Sequence, residues 1–208
     1  MFERLFEKYP DLKSCAPELQ SAYDLLEACF LEGGKVLVCG NGGSAADSEH
    51  LVGELMKGYL RPRPVPAKVR EKLTTAFPAD GQYLADHLQG ALPAISLVSQ
   101  VGLMTAYAND VAPEMVFAQQ VYGYGRAGDV LFAISTSGNS DNILRAAQVG
   151  RACDLKVIGL TGRTGGRLLP LCDVAICVPY EGASEVQERH LPVYHALCAA
   201  LECAFFGA

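Results

Sequence analysis

The chain has 208 residues, half of them hydrophobic, with 17 basic against 23 acidic side chains and a formal net charge of −6 at pH 7. That length suits one sizeable α/β domain, and a mean hydropathy of +0.16 excludes a disordered chain. An acidic balance without a basic block speaks against nucleic-acid partners, and no apolar run is long enough to span a bilayer.

The N-terminal MFERLFEKYPDLKSCAPELQ mixes charges into its first turns, so no signal peptide is expected. Eight cysteines, at 15, 29, 39, 153, 172, 177, 198 and 203, form no CxxC pair and fall mostly in apolar runs, where cysteine packs as a small hydrophobe. A cytoplasmic compartment is the expectation. In chain order, Leu19, Tyr23, Leu26 and Phe30 recur at helical spacing over 17–32, and Gly33-Gly34 stops that helix. Short apolar runs follow at KVLVCG (35–40), AISLV (94–98), DVLFAIS (129–135), KVIGLT (156–161) and DVAICVP (173–179). They are unbroken by polar residues, so they read as strands buried on both faces, with helical patterns between them. A layered α/β fold on a five-stranded parallel sheet is expected. Residues 60–92 depart from this rhythm with three close prolines, a short helix and a loop. Such an excursion is a lid, an oligomer contact or a tolerated surface insertion. Tyr122 and Tyr124 are expected to close a helix against the domain, and a long last helix begins at Ser184 and covers 184–207.

Two strand-to-helix turns are built to receive an anion. CGNGGSAA matches G-x-G-x-x-A at Gly40, Gly42 and Ala45, but the next strand ends in Ser99-Gln100, not in the acidic residue a dinucleotide fold requires. Ser44, in that turn, reads as a helix cap or a sugar contact; no histidine is placed by sequence to make it a nucleophile. The second turn, STSGNS, sets the hydroxyls of Ser135, Thr136, Ser137 and Ser140 ahead of a helix N-terminus. No lysine follows it, which disfavours a nucleotide triphosphate. A phosphate monoester suits this cup; the same residues also serve as plain turn formers and caps.

His50 and Glu54 stand four apart on the helix leaving the first turn and share a face, as a metal or proton-transfer pair or as a surface contact. The closing helix adds Gln187, Glu188, His190 and His195, with Pro192 inside it.

Taken in order, GNGGSAADSEHLVGEL, YAND, STSGNS, LTGRTGG and VQERHLPVYH resemble the sugar isomerase (SIS) domain family in its phosphoheptose isomerase branch. The likeness covers residues 20 to 205 apart from the excursion. It implies a flavodoxin-like three-layer sandwich in a homotetramer with sites between subunits. It also implies sugar contacts from Asn41, Gly42, Gly43, Ser44, Asn109, Asp110 and Gln187, and a phosphate seat at Ser135, Thr136, Ser137 and Ser140. One Zn(2+) per subunit would lie among His50, Glu54, Gln187 and His195, with Glu54 as base and His195 as acid for an aldose–ketose isomerisation through an enediol(ate). The implied substrate is sedoheptulose 7-phosphate. Some SIS proteins are instead non-catalytic regulators of a protein partner or sugar-phosphate sensors, and these tend to lose the metal and acid–base residues that this chain keeps. Two departures stand out: Glu185 replaces an arginine common in the family two residues before the glutamine, and the excursion is long.

Overall fold

The computed structural model describes residues 2–207. Helix α1 (Glu3–Lys8) and a 3-10 segment (Pro10–Cys15) lead into α2 (Ala16–Leu31), β1 (Val36–Cys39) and α3 (Gly43–Met56). Next come α4 (Ala67–Ala76), α5 (Gly81–His87), β2 (Ala94–Ser96), α6 (Val101–Asp110) and α7 (Val116–Tyr124). The chain closes with β3 (Val130–Ser135), α8 (Asp141–Ala152), β4 (Lys156–Thr161), β5 (Val174–Cys177) and α9 (Ala183–Phe206). The five strands lie in the order β2-β1-β3-β4-β5, every neighbouring pair parallel.

Period-two alternation along each strand divides the core into two layers. Val36 and Val38 of β1, with Val130, Phe132 and Ile134 of β3, face α2, α3 and α9. Leu37, Cys39, Leu131 and Ala133 face α7 and α8 on the other side. Both sets are apolar because both faces are covered, which is why the strands read as unbroken runs. Residues 60–92 hold two packed helices, α4 and α5, where one short helix and a loop were expected. Tyr122 is 69% exposed and closes nothing, contrary to expectation.

Helices α3 and α9 are the pair that matters for chemistry. Ser48 of α3 is wholly buried; its hydroxyl donates to the Val38 carbonyl at 3.1 Å and shares a hydrogen bond with Ser96 at 2.8 Å. That pins α3 to β1 and β2. Helix α9 runs alongside in the same direction, so residues of the two helices meet at a nearly constant register: Gly43 with Gln187, His50 with Tyr194 and His195.

His190, on the sheet side of α9, is completely buried, and neither ring nitrogen has a hydrogen-bond partner. Burial pushes its pKa down to about 4, with the nearby Thr161 backbone opposing in part. The unfolded chain therefore binds a proton that the folded one refuses between about pH 6.5 and 4, and stability falls as the pH drops through that window. The loss at pH 4 should be about 3 kcal/mol from this group. Urea unfolding at stepped pH is expected to show a steeper acid-side slope for the wild type than for His190→Leu.

Candidate functional site

The sheet order reverses at β1, whose neighbours are β2 on one side and β3 on the other. Ligands of open α/β sheets bind at such a switch point, beyond the carboxyl ends of the strands. Both candidate anion turns lie there, one after β1 and one after β3. The Asn41 and Asn142 side-chain amides tie them together through two reciprocal 2.8 Å hydrogen bonds.

In the second turn the Ser135 and Ser140 hydroxyls stand 3.5 Å apart, and the backbone N–H of Asn139 donates to the Ser137 hydroxyl at 3.2 Å. Helix α8 starts immediately after, aiming its N-terminus at the turn. Arg167, beside the turn, is paired with Asp141 at 3.0 Å, and the turn itself presents hydroxyls and backbone N–H groups. Gly138 has φ +63°, and a Cβ there would lie 2.0 Å from the Gly165 carbonyl oxygen. Gly138→Ala is expected to cost about 1–3 kcal/mol in a urea titration, from left-handed strain plus this collision.

The first turn meets α9 as closely. A Cβ on Gly43 would stand 2.1 Å from Gln187 Nε2, so only glycine lets the Gln187 amide rest on the turn. Asn41, Gly42 and Gly43 are exposed, whereas Ser44 is buried behind them.

Two turns further along α3 and α9 a second cluster forms. His50 Nε2 lies 3.4 Å from His195 Nε2 and 3.3 Å from Glu54 Oε1. The other Glu54 oxygen meets Lys57 at 3.1 Å. Burial lowers the His195 pKa, the adjacent His50 lowers it further and Glu54 opposes, a balance that favours the neutral imidazole. Behind His50, the Tyr194 hydroxyl lies 3.1 Å from Nδ1 and 3.3 Å from the buried Asp47.

These donors suit a cation. Tetrahedral zinc with ligands at about 2.0–2.1 Å places its donor atoms about 3.3–3.4 Å apart, the separations found on both edges through His50. Among the described residues no group of three His, Cys, Asp or Glu side chains is set to hold a metal ion, and the spacing match is confined to the two edges through His50. Gln187 stands apart within one chain, eight residues and about 12 Å before His195 on the same helix. Asn109 and Asp110, at the exposed end of α6, hydrogen-bond to each other at 2.8 Å and join neither cluster.

Sequence reasoning missed Asp47, Tyr194, Arg63 and Glu202. Asp47 carried a signal: with His50 and Glu54 it sits at i, i+3 and i+7, one helical face. Arg63 and Glu202 form a wholly buried pair, Nε to Oε1 at 2.8 Å, and Arg63 also donates to the Leu55 and Glu54 carbonyls at 2.7 and 3.0 Å.

A family profile described as SIS domain matches residues 9–74 and 83–162. The unmatched 75–82 fall at the junction of α4 and α5, so the excursion is in most of its length ordinary family sequence. A phosphoheptose isomerase of Rhodospirillum rubrum is 38% identical over 193 residues, 93% of this chain and 89% of that one. One from Helicobacter hepaticus is 40% identical over 186 residues, 89% and 82% of the two chains. The solved phosphoheptose isomerase from Francisella tularensis superposes with a TM-score of 0.74 at 31% identity, covering 97% of this chain and 94% of its own.

Proposed function

The chain belongs to the SIS domain family, among its phosphoheptose isomerases, and from that membership we propose which sugar it converts and which residues do so. A sugar-phosphate isomerase must hold a phosphate, reach two adjacent carbons and steady an oxyanion between them. The observation that carries the reading is the His50–Glu54–His195 cluster, two helical turns from a pair of anion-receiving turns. Seven residues of α3 separate Gly43 from His50, about 10 Å of rise, which suits a long phosphorylated chain better than a short one. The proposed reaction converts sedoheptulose 7-phosphate to D-glycero-D-manno-heptose 7-phosphate.

The Ser135, Thr136, Ser137 and Ser140 hydroxyls and the α8 N-terminus bind the phosphate. Asn41, Gly42, Gly43 and Gln187 line the path of the sugar, with Ser44 behind them. Glu54 takes the proton from C1 and returns it at C2, and His195, whose pKa burial lowers, moves a proton between the two oxygens. His50, Glu54 and His195 would hold a zinc ion, which supplies positive charge for the enediolate oxygens. Glu54 serves both roles if one oxygen is a ligand and the other a base, and its two oxygens already have separate partners.

A homotetramer with shared sites completes the proposal. A groove of about 850 Å³ runs between α1 and α9 and ends at His195, lined by Phe2, Leu5, Tyr9, Tyr59 and Leu191. An apolar groove opening on the reacting cluster suits cover by a second copy of the chain.

Incubation in deuterium oxide with ketose phosphates from pentose to heptose is the test. Solvent deuterium should enter at C1 and C2, fastest with sedoheptulose 7-phosphate, and chelation should slow it. Exchange equal across chain lengths would refute the sugar assignment, and no exchange with any of them would refute the chemistry.

A further inference from the structure

The hydroxyl of Tyr194 has no part in the chemistry above, yet it is fully buried and touches two ionisable groups. It lies 3.1 Å from Nδ1 of His50 and 3.3 Å from Oδ1 of Asp47. Asp47 is itself buried, and its second oxygen has no hydrogen-bond partner. A phenol has one proton to give, so with Asp47 ionised and His50 neutral the three groups admit two arrangements. In the first, Tyr194 donates to Asp47 and accepts Nδ1–H from His50, leaving His50 Nε2 as a bare lone pair. In the second, Tyr194 donates to Nδ1, the imidazole proton moves to Nε2, and the Asp47 carboxylate keeps no donor.

Glu54 pulls towards the second arrangement, because its Oε1 lies 3.3 Å from His50 Nε2. It is the weaker claimant. Glu54 keeps Lys57 at 3.1 Å either way, whereas Tyr194 is the one hydrogen-bond donor to Asp47 among the described side chains. A buried carboxylate stripped of its donor loses far more than one that retains a second partner.

We propose that Asp47 and Tyr194 are positioning residues that lock His50 in its Nδ1–H tautomer and turn the Nε2 lone pair towards His195 and Glu54. The consequence for a cation rests on the zinc reading above; the tautomer does not. A ligating histidine needs a bare nitrogen facing the ion and a held N–H behind it.

The ring 15N shifts of metal-free, 15N-labelled protein near neutral pH report the tautomer, with His50→Asn identifying the His50 signals. Wild type should carry its proton on Nδ1, and Tyr194→Phe should shift His50 towards Nε2–H. Zinc affinity of Tyr194→Phe, read by competition with a chelator, should fall roughly 10–100-fold. An Nε2–H His50 in the wild type, or an unchanged tautomer in Tyr194→Phe, overturns the proposal. Should Tyr194→Phe fail to fold, Asp47→Leu, of similar size but without an acceptor for the Tyr194 hydroxyl, carries the test with the same expected shift and the same overturning result. A wild type that holds the Nδ1–H tautomer but binds no zinc would refute the cation reading and leave the assignment of Asp47 and Tyr194 standing.

Discussion

Glu54→Gln is expected to reduce kcat by roughly 10²–10⁴-fold, about 3–5 kcal/mol of transition-state stabilisation, with little change in KM. On the proposed roles, the substitution preserves shape and one oxygen for the cation but removes the basicity used at C1. The site is arranged so that this is the main loss. Glu54 Oε1 faces His50 and Oε2 faces Lys57, so the carboxylate is held from both sides and an amide keeps the same volume between them. Steady-state kinetics, deuterium exchange and metal analysis of one preparation separate the two roles. Lost exchange at wild-type zinc content assigns Glu54 as base, and lost exchange with lost zinc assigns it first as ligand. Wild-type turnover at unchanged metal content would remove Glu54 from the chemistry.

Much of this architecture is legible along the chain, for a physical reason. A strand covered on both faces must be apolar at every position, so β1, β3 and β4 announce themselves as unbroken runs. The α4–α5 hairpin hid for the opposite reason. Helix α4 buries none of its residues, so no apolar stripe marks it, and α5 has only seven residues, too few for a periodic pattern. The site divides along the same line. The i, i+4 spacing of His50 and Glu54 is a local fact that any helix preserves. Their meeting with His195 depends on α9 lying parallel to α3 in one register, set by long-range packing over some 145 residues. That register also places Gln187 against Gly43 and Tyr194 behind His50, neither of which local spacing reports. Arg63, set between prolines, reads as exposed loop, and a fully buried arginine runs against composition unless its partners are known.

Arg63→Met is expected to destabilise the protein by about 3–5 kcal/mol, a large share of the 5–15 kcal/mol typical of a folded domain. The Arg63 and Glu202 side chains are 0% and 1% exposed. Each of three guanidinium nitrogens has its own acceptor: Nε the Glu202 carboxylate, Nη1 the Leu55 carbonyl and Nη2 the Glu54 carbonyl. Those carbonyls belong to the last turn of α3, which has no further helical donors to offer them. Glu202 in turn accepts the backbone N–H groups of Tyr59 and Leu60, each at 2.7 Å. Burial pushes the Glu202 carboxyl up, but these two hydrogen bonds and Arg63 outweigh it and hold the group below the usual range. Methionine fills the space, yet it leaves a buried charge with part of its shell missing and the Glu54 carbonyl with nothing to receive, while the Leu55 carbonyl keeps the Leu92 backbone N–H at 3.0 Å. Lysine restores a charge without the planar fork, so Arg63→Lys should recover only part of the loss. Urea unfolding at neutral pH measures both, and an Arg63→Met protein within about 1 kcal/mol of wild type would show that the pair contributes little to the fold. The damage should also reach catalysis, because the carbonyl that Arg63 holds is that of Glu54 itself. A frayed last turn of α3 moves the Glu54 carboxylate away from His50, so kcat of the folded fraction should fall in Arg63→Met and return in part with lysine.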